Sequence, residues 1–261
     1  MIVDCHTHIS CPSVSEQGIP ERLAAVQNVD KCVVLASPDE SSDRSNGRLA
    51  EFVATYAKKM VGFGFVDPVT NGFSSRYIST LTEKHGLKGA VLYCSACGFH
   101  PAHTRAMRLY ELAQEAKLPV FFHNGGDMGP EACLQYAQPY LLDEIACKFR
   151  DLKIIIGSMG HPFLEQTLAM AAKHPNVYAD LTIKPDRPWQ LYTTVVSAFE
   201  YGVMDKLLFG SGFPFGDAAE CIEALLGFNK RLGDTNLPAV PRDQLRKIIE
   251  RDSLKLLGIE E

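Results

Sequence analysis

The sequence predicts an α/β fold, a closed (β/α)8 barrel of the TIM type, formed by one domain over residues 1–261 with an extra helix at its C-terminal end. Eight short apolar runs alternate strictly with eight longer helical patterns. Most of the runs lack in-and-out alternation, the mark of parallel strands covered on both faces. The length, 261 residues, also suits a barrel, which commonly folds about 250 residues around one core. Closure removes the sheet edges and leaves the helices to cover the outside.

The strands are expected at Ile2–Cys5, Lys31–Ala36, Val61–Val66, Gly89–Tyr93, Pro119–His123, Lys153–Ile156, Val177–Leu181 and Lys206–Phe209. Helices are expected at Pro20–Asn28, Arg44–Lys59, Phe73–His85, Thr104–Lys117, Ala132–Phe149, Pro162–His174, Trp189–Tyr201 and Ala218–Leu232. After the Pro238–Pro241 break, Arg242–Leu257 reads as a final helix whose Leu245, Ile248, Ile249, Leu254, Leu256 and Leu257 pack on the barrel. An open doubly wound sheet is the competing architecture. It calls for a glycine-rich phosphate turn after the first strand, where this chain has His6-Thr7-His8.

Composition narrows the function classes. Lys+Arg 26 against Asp+Glu 31 gives a net charge of −5 with both signs interspersed, so no basic stripe is available for nucleic acid. The longest uncharged stretches, such as Gly89 to Arg105, hold Ser, His and Gly and fall short of the roughly 20 apolar residues of a membrane span. The opening Met1-Ile2-Val3-Asp4 lacks the basic start and apolar core of a secretory signal. Eight cysteines scattered through apolar runs read as reduced, mostly buried thiols. The expectation is a cytoplasmic protein acting on a small molecule, with neither nucleic acid nor membrane as partner and a homodimer as the base-rate assembly.

The chemistry concentrates at the C-terminal ends of the strands, where a barrel keeps its active site. His6 and His8 stand two apart at the end of the first strand, so strand geometry turns both imidazoles to one face with Asp4. His123 ends the fifth strand, and His161 follows the sixth. Four of the eight histidines thus gather on one rim, a constellation suited to holding a metal. Asp180 ends the seventh strand, and Asp217 lies in the loop after the eighth. Lys184, Arg187 and Trp189 follow strand seven and could clamp a carboxylate against an apolar wall, against the bland reading of solvated loop charges. Phe99, Phe213 and Phe215 belong to loops at the same mouth, either lining a pocket or capping the core. Cys94-Ser95-Ala96-Cys97 has redox or metal-ligand spacing but no partner pair, and reads as loop thiols. His103 reads as a helix-start residue, and His85 and His174 as structural residues at helix ends.

The stretches Asp4-Cys5-His6-Thr7-His8, Leu118 to His123, Gly160-His161-Pro162 and Leu207 to Pro214 resemble the amidohydrolase-related (amidohydrolase 2) metal-dependent hydrolases, which include the aminocarboxymuconate semialdehyde decarboxylase-like branch. The resemblance spans nearly the whole chain, including the closing Arg251 to Gly258. It implies that His6, His8 and His123 ligate one divalent metal, usually zinc, while His161 holds or deprotonates the metal's water. It also implies a carboxylate after strand eight, where this chain has Gly212. Three histidines plus water still make an open catalytic site. Proton handling then passes to His161 first, Asp180 second and Asp217 third.

The leading expectation is therefore a metal-dependent hydrolase that cleaves an ester, lactone or amide with a metal-activated water, with His161 and Asp180 catalytic and Lys184, Arg187, Trp189 and Phe213 binding substrate. Non-oxidative decarboxylation of an unsaturated or aromatic acid is the enzymatic alternative, with Arg187 or Lys184 as anchor. A catalytically decayed barrel kept for ligand binding is the alternative from another class, supported by Gly212 and opposed by the four retained histidines.

Overall fold

The computed structural model describes residues 1–8, 23–38, 41–70, 75–123, 129–233 and 235–259. Eight strands follow one another around a single parallel sheet in sequence order: β1 Val3–His8, β2 Lys31–Leu35, β3 Met60–Phe65, β4 Gly89–Leu92, β5 Val120–Phe122, β6 Ile154–Ile156, β7 Val177–Asp180 and β8 Leu207–Leu208. Nearly every strand residue is buried, as expected of a parallel sheet with its barrel interior on one face and helices on the other. The segment after the short β8 closes the barrel onto β1. Cys5 N–H donates to Phe209 O, Gly212 N–H to His6 O and His8 N–H to Phe213 O, each at 2.8 Å.

The helices depart from expectation where glycine, proline or a capping side chain intervenes. They are α1 Ser42–Thr55, α2 Ser75–Ser79, α3 Thr104–Glu115, α4 Asp143–Lys148, α5 Leu164–Lys173, α6 Pro188–Glu200, α7 Ala218–Leu226, α8 Arg242–Glu250 and α9 Ser253–Leu256. A π-helical turn, Thr80–Lys84, continues α2. The stretch expected as one helix over Ala132–Phe149 is two 3₁₀ turns and α4, because Pro139 has no N–H to carry a helix through. Gly227 ends α7, and a 3₁₀ turn follows at Phe228–Leu232. The last expected helix divides at Arg251, where the Asp252 side chain accepts from Lys255 N–H at 3.0 Å and starts α9. Of the first expected helix, Pro20–Asn28, residues 23–25 are helical and 26–28 form a turn, while residues 20–22 and Cys11 lie outside the described residues.

Among the described residues no disulfide joins the cysteines, and no helix is long and apolar enough to cross a membrane. Arg251 anchors the C-terminal extension to the barrel by donating to the carbonyls of Asp205 at 2.7 Å and Leu207 at 2.8 Å.

Candidate active site

β1 runs through His8, three residues beyond the expected strand end, so His6 and His8 project from the strand itself. The strand places both rings toward His123, which directly follows β5. His6 Nε2 lies 2.9 Å from His8 Nε2, and His8 Nε2 lies 3.2 Å from His123 Nε2. The three ligand atoms fall within 4.8 Å of one another. The rings meet edge to face at centroid distances of 4.9 to 5.0 Å, and Phe121 packs on His6 at 5.1 Å. The Tyr93 ring lies 4.6 Å from that of His123 while its hydroxyl donates to Ala36 O at 2.8 Å, fixing one wall of the cluster. Burial, with His6 beside it, pushes His123 down to a pKa of about 3, so its imidazole is neutral and offers a lone pair at neutral pH.

Asp180 sits behind His6. Both of its oxygens lie 3.1 Å from His6 Nδ1, and Ser158 N–H donates to Oδ2 at 2.7 Å. Thr182 Oγ1 also donates to Asp180 Oδ1 and lies 2.9 Å from His6 Nδ1, while Ser158 Oγ donates to Thr182 at 3.1 Å. Asp180 is fully buried; burial alone raises its pKa, but His6 and these donors outweigh it and hold the pKa below the ordinary carboxylate value. An ionised Asp180 only accepts, so the proton between it and His6 belongs to Nδ1, and in the neutral ring the lone pair is the one on Nε2, which faces His8. This differs from the geometry expected of a catalytic base: both Asp180 oxygens are already turned to donors in the wall.

Backbone strain gathers around this carboxylate. Ser158 and Met159 have φ of 51° and 52°, and Thr182, a β-branched residue, has φ of 39°. Such conformations cost about 1 to 3 kcal/mol each and persist only where the surroundings over-determine them. Here the Asp180 hydrogen bonds hold both strained loops.

The other expected residues divide. His161 stands outside the three-nitrogen group. Its Nε2 is 3.2 Å from Thr194 Oγ1 on α6, and burial followed by the nearby Lys184 charge lowers its pKa. His161, Thr182, Lys184, Arg187, Gln190 and Thr194 line a small hollow whose remaining wall is Leu181, Ile183 and Leu191. Trp189 is not part of that lining; it is 66% exposed and stacks on Tyr192 at 5.3 Å. Phe213 serves the barrel seam through the backbone bond to His8. Asp217 caps α7, its carboxylate accepting from Ala219 N–H at 2.8 Å, which removes it from the proton-handling candidates. His103 caps α3, with Nδ1 accepting from Arg105 N–H at 3.2 Å, as expected.

Gly212 has φ of 69°, and a β-carbon there would stand 2.7 Å from Thr182 Cγ2. Asp4 instead ties β1 to the strand-eight segment: Ser211 Oγ donates to it at 2.6 Å and Ser211 N–H at 3.0 Å. Sequence reading missed Ser158, Thr182, Gln190 and Thr194. Only the last two left a signal, the spacing Arg187, Gln190, Thr194 that puts three polar residues on one helical face.

The fit to a cation is read from the donor set. Three imidazoles turn their Nε2 atoms to one another, a donor set that suits a divalent ion.

The amidohydrolase family model matches residues 3–259. No curated protein matches the chain in sequence. Among solved structures, the fold is similar to 2,6-dihydroxybenzoate decarboxylase from Rhizobium (15% identity, 100% of this chain and 99% of that one, TM-score 0.67). It is also similar to a probable 2-pyrone-4,6-dicarboxylic acid hydrolase from Acinetobacter baumannii (15% identity, 98% and 99%, TM-score 0.67). A third is 5-carboxyvanillate decarboxylase from Novosphingobium aromaticivorans with bound manganese (13% identity, 99% and 97%, TM-score 0.68).

Proposed function

The chain belongs to the amidohydrolase family, and on that premise we propose that it is a metal-dependent enzyme that removes carbon dioxide from a small organic acid. The observation that carries this reading is the meeting of His6, His8 and His123 nitrogens in a group to which no carboxylate among the described residues belongs. Hydrolysis needs a base for water; Asp180 is committed to His6, Ser158 and Thr182, and Asp4 to Ser211, so among the described residues that role falls to His161 alone. Decarboxylation needs an electron sink and a proton instead.

His6, His8 and His123 would hold the ion; zinc and manganese both accept imidazole nitrogen. When bound, a divalent ion supplies Lewis acidity to an oxygen of the substrate. Three neutral ligands leave its charge undiminished, which favours an anionic substrate. Asp180 fixes the tautomer and direction of His6. His161 supplies the proton: the C–C bond to the carboxylate breaks, the electron pair stays on the substrate carbon, and His161 delivers a proton there before regaining one from water. A lowered pKa makes its protonated form a stronger acid than ordinary imidazolium.

Hydrolysis of an ester, lactone or amide is the second reading, favoured by the same lowered pKa, since a neutral His161 is a competent base at pH 7. The test is product analysis of the protein reconstituted with zinc or manganese, offered a panel of aromatic and unsaturated acids beside esters, lactones and amides. Bicarbonate release is expected. Cleavage of the second group without bicarbonate from any acid would replace the reading with hydrolysis, and inactivity of a fully loaded protein toward both would favour a binding protein.

A further inference from the structure

The hollow that His161 and Thr182 line holds two cations, Lys184 and Arg187, without counter-charges among the described residues. A turn after β7, closed by the Arg187 N–H bond to Lys184 O at 2.9 Å, brings Lys184 and Arg187 to the same hollow. Among the described residues neither has an acidic partner, and the Gln190 side chain beside them has no hydrogen bond. Asp186 lies between them in sequence and is exposed. The hollow and the histidine cluster share a wall. Thr182 lines the hollow, and its Oγ1 is 2.9 Å from His6 Nδ1.

We propose that Lys184, Arg187 and Gln190 form an anion notch that holds a second carboxylate of the substrate, set apart from the one that reacts, so that the preferred substrate is a small dicarboxylic acid. This rests on the reading of the three-histidine face as the reacting site. A guanidinium fork, an ammonium and an amide are donors that suit a carboxylate. The chain enters α6 at the same place, and its first-turn N–H groups add positive potential. Leu181, Ile183 and Leu191 complete the wall beside these donors with apolar side chains. A monoacid anchored at the histidine face leaves the notch cations unpaired, so the second acid group is what distinguishes a good ligand from a poor one.

The experiment compares diacids with monoacids of matched skeleton on metal-loaded protein: isophthalate with benzoate, glutarate with butyrate, and succinate with propionate. Binding is read by calorimetry. Trp189, the chain's one tryptophan and two residues from Arg187, gives a second signal in its emission. At least one diacid is expected to bind about tenfold or more tightly than its monoacid, the worth of one charge-assisted contact. Lys184→Met and Arg187→Met should each bring that ratio to within about threefold of unity, while Lys184→Arg keeps it. A ratio near one for all three pairs, or an unchanged ratio in both methionine variants, overturns the notch. Bicarbonate release is scored separately on the panel acids. A high ratio without release from any acid leaves the notch standing and sinks the decarboxylase reading, whereas release with no diacid preference does the reverse.

Discussion

Asp180 and His6 are joined through Nδ1, with both carboxylate oxygens 3.1 Å from that nitrogen, across 174 residues of sequence. The pair decides which nitrogen of His6 faces His8 and His123. It also explains why β7 and the strained loops after β6 and β7 converge: Ser158 and Thr182 supply the remaining donors to the same carboxylate. The contact fixes the direction of the His6 ring.

Metal content follows from the triad. Purified protein reconstituted with zinc or manganese is expected to hold about one ion per chain by elemental analysis. His6→Ala, His8→Ala and His123→Ala should each abolish it. An absence of bound metal after careful reconstitution would remove the metal-dependent reading.

Removing the carboxylate behind His6 tests its role without touching a ligand. Asp180→Asn is expected to weaken metal binding by about 10- to 100-fold in chelator competition, because His6 loses its fixed tautomer. Unchanged affinity in a folded variant would mean that the Asp180 contact only packs the wall.

His161 separates proton transfer from metal binding. His161→Ala should keep the metal and lose turnover, whereas His123→Ala loses both. The pH profile carries a sign. A proton donor with its pKa below the ordinary 6.5 loses activity as pH rises through that lowered value, while a base gains activity over the same interval. A falling limb on the acid side supports proton donation, and a rising limb supports water activation and hydrolysis.

The fourth prediction concerns Gly212→Asp. At φ of 69°, with the new β-carbon 2.7 Å from Thr182 Cγ2, the substitution is expected to cost about 1 to 3 kcal/mol and lower Tm by several degrees. Gly212→Ala should cost a similar amount, since the strain lies in the backbone and the β-carbon. An Asp variant as stable as the parent, with strong new hydrolase activity, would show instead that the parent lacks only a base.

The sequence by itself determined the barrel. Short continuous apolar runs such as Val120-Phe121-Phe122 and Ile154-Ile155-Ile156 suit strands buried on both faces, and their alternation with helical patterns set the order. It also put His6, His8, His123 and His161 on one rim, because the end of a parallel strand fixes which face of the barrel a residue reaches. Helix breaks were less legible, since Pro139 and Gly227 act through single backbone positions inside otherwise helical patterns.

Only the tertiary structure decided which histidines meet. His161 turns Nε2 toward Thr194, while His6, His8 and His123 turn theirs toward one another. It likewise decided that Asp180 stands behind a histidine and that Asp217 caps a helix, roles that neither residue type nor strand position distinguishes from a base. The physical reason is range. Hydrophobic periodicity is a local property that a short window of residues expresses, whereas the partner of a buried carboxylate is chosen by side-chain direction and hydrogen-bond supply among strands far apart in sequence.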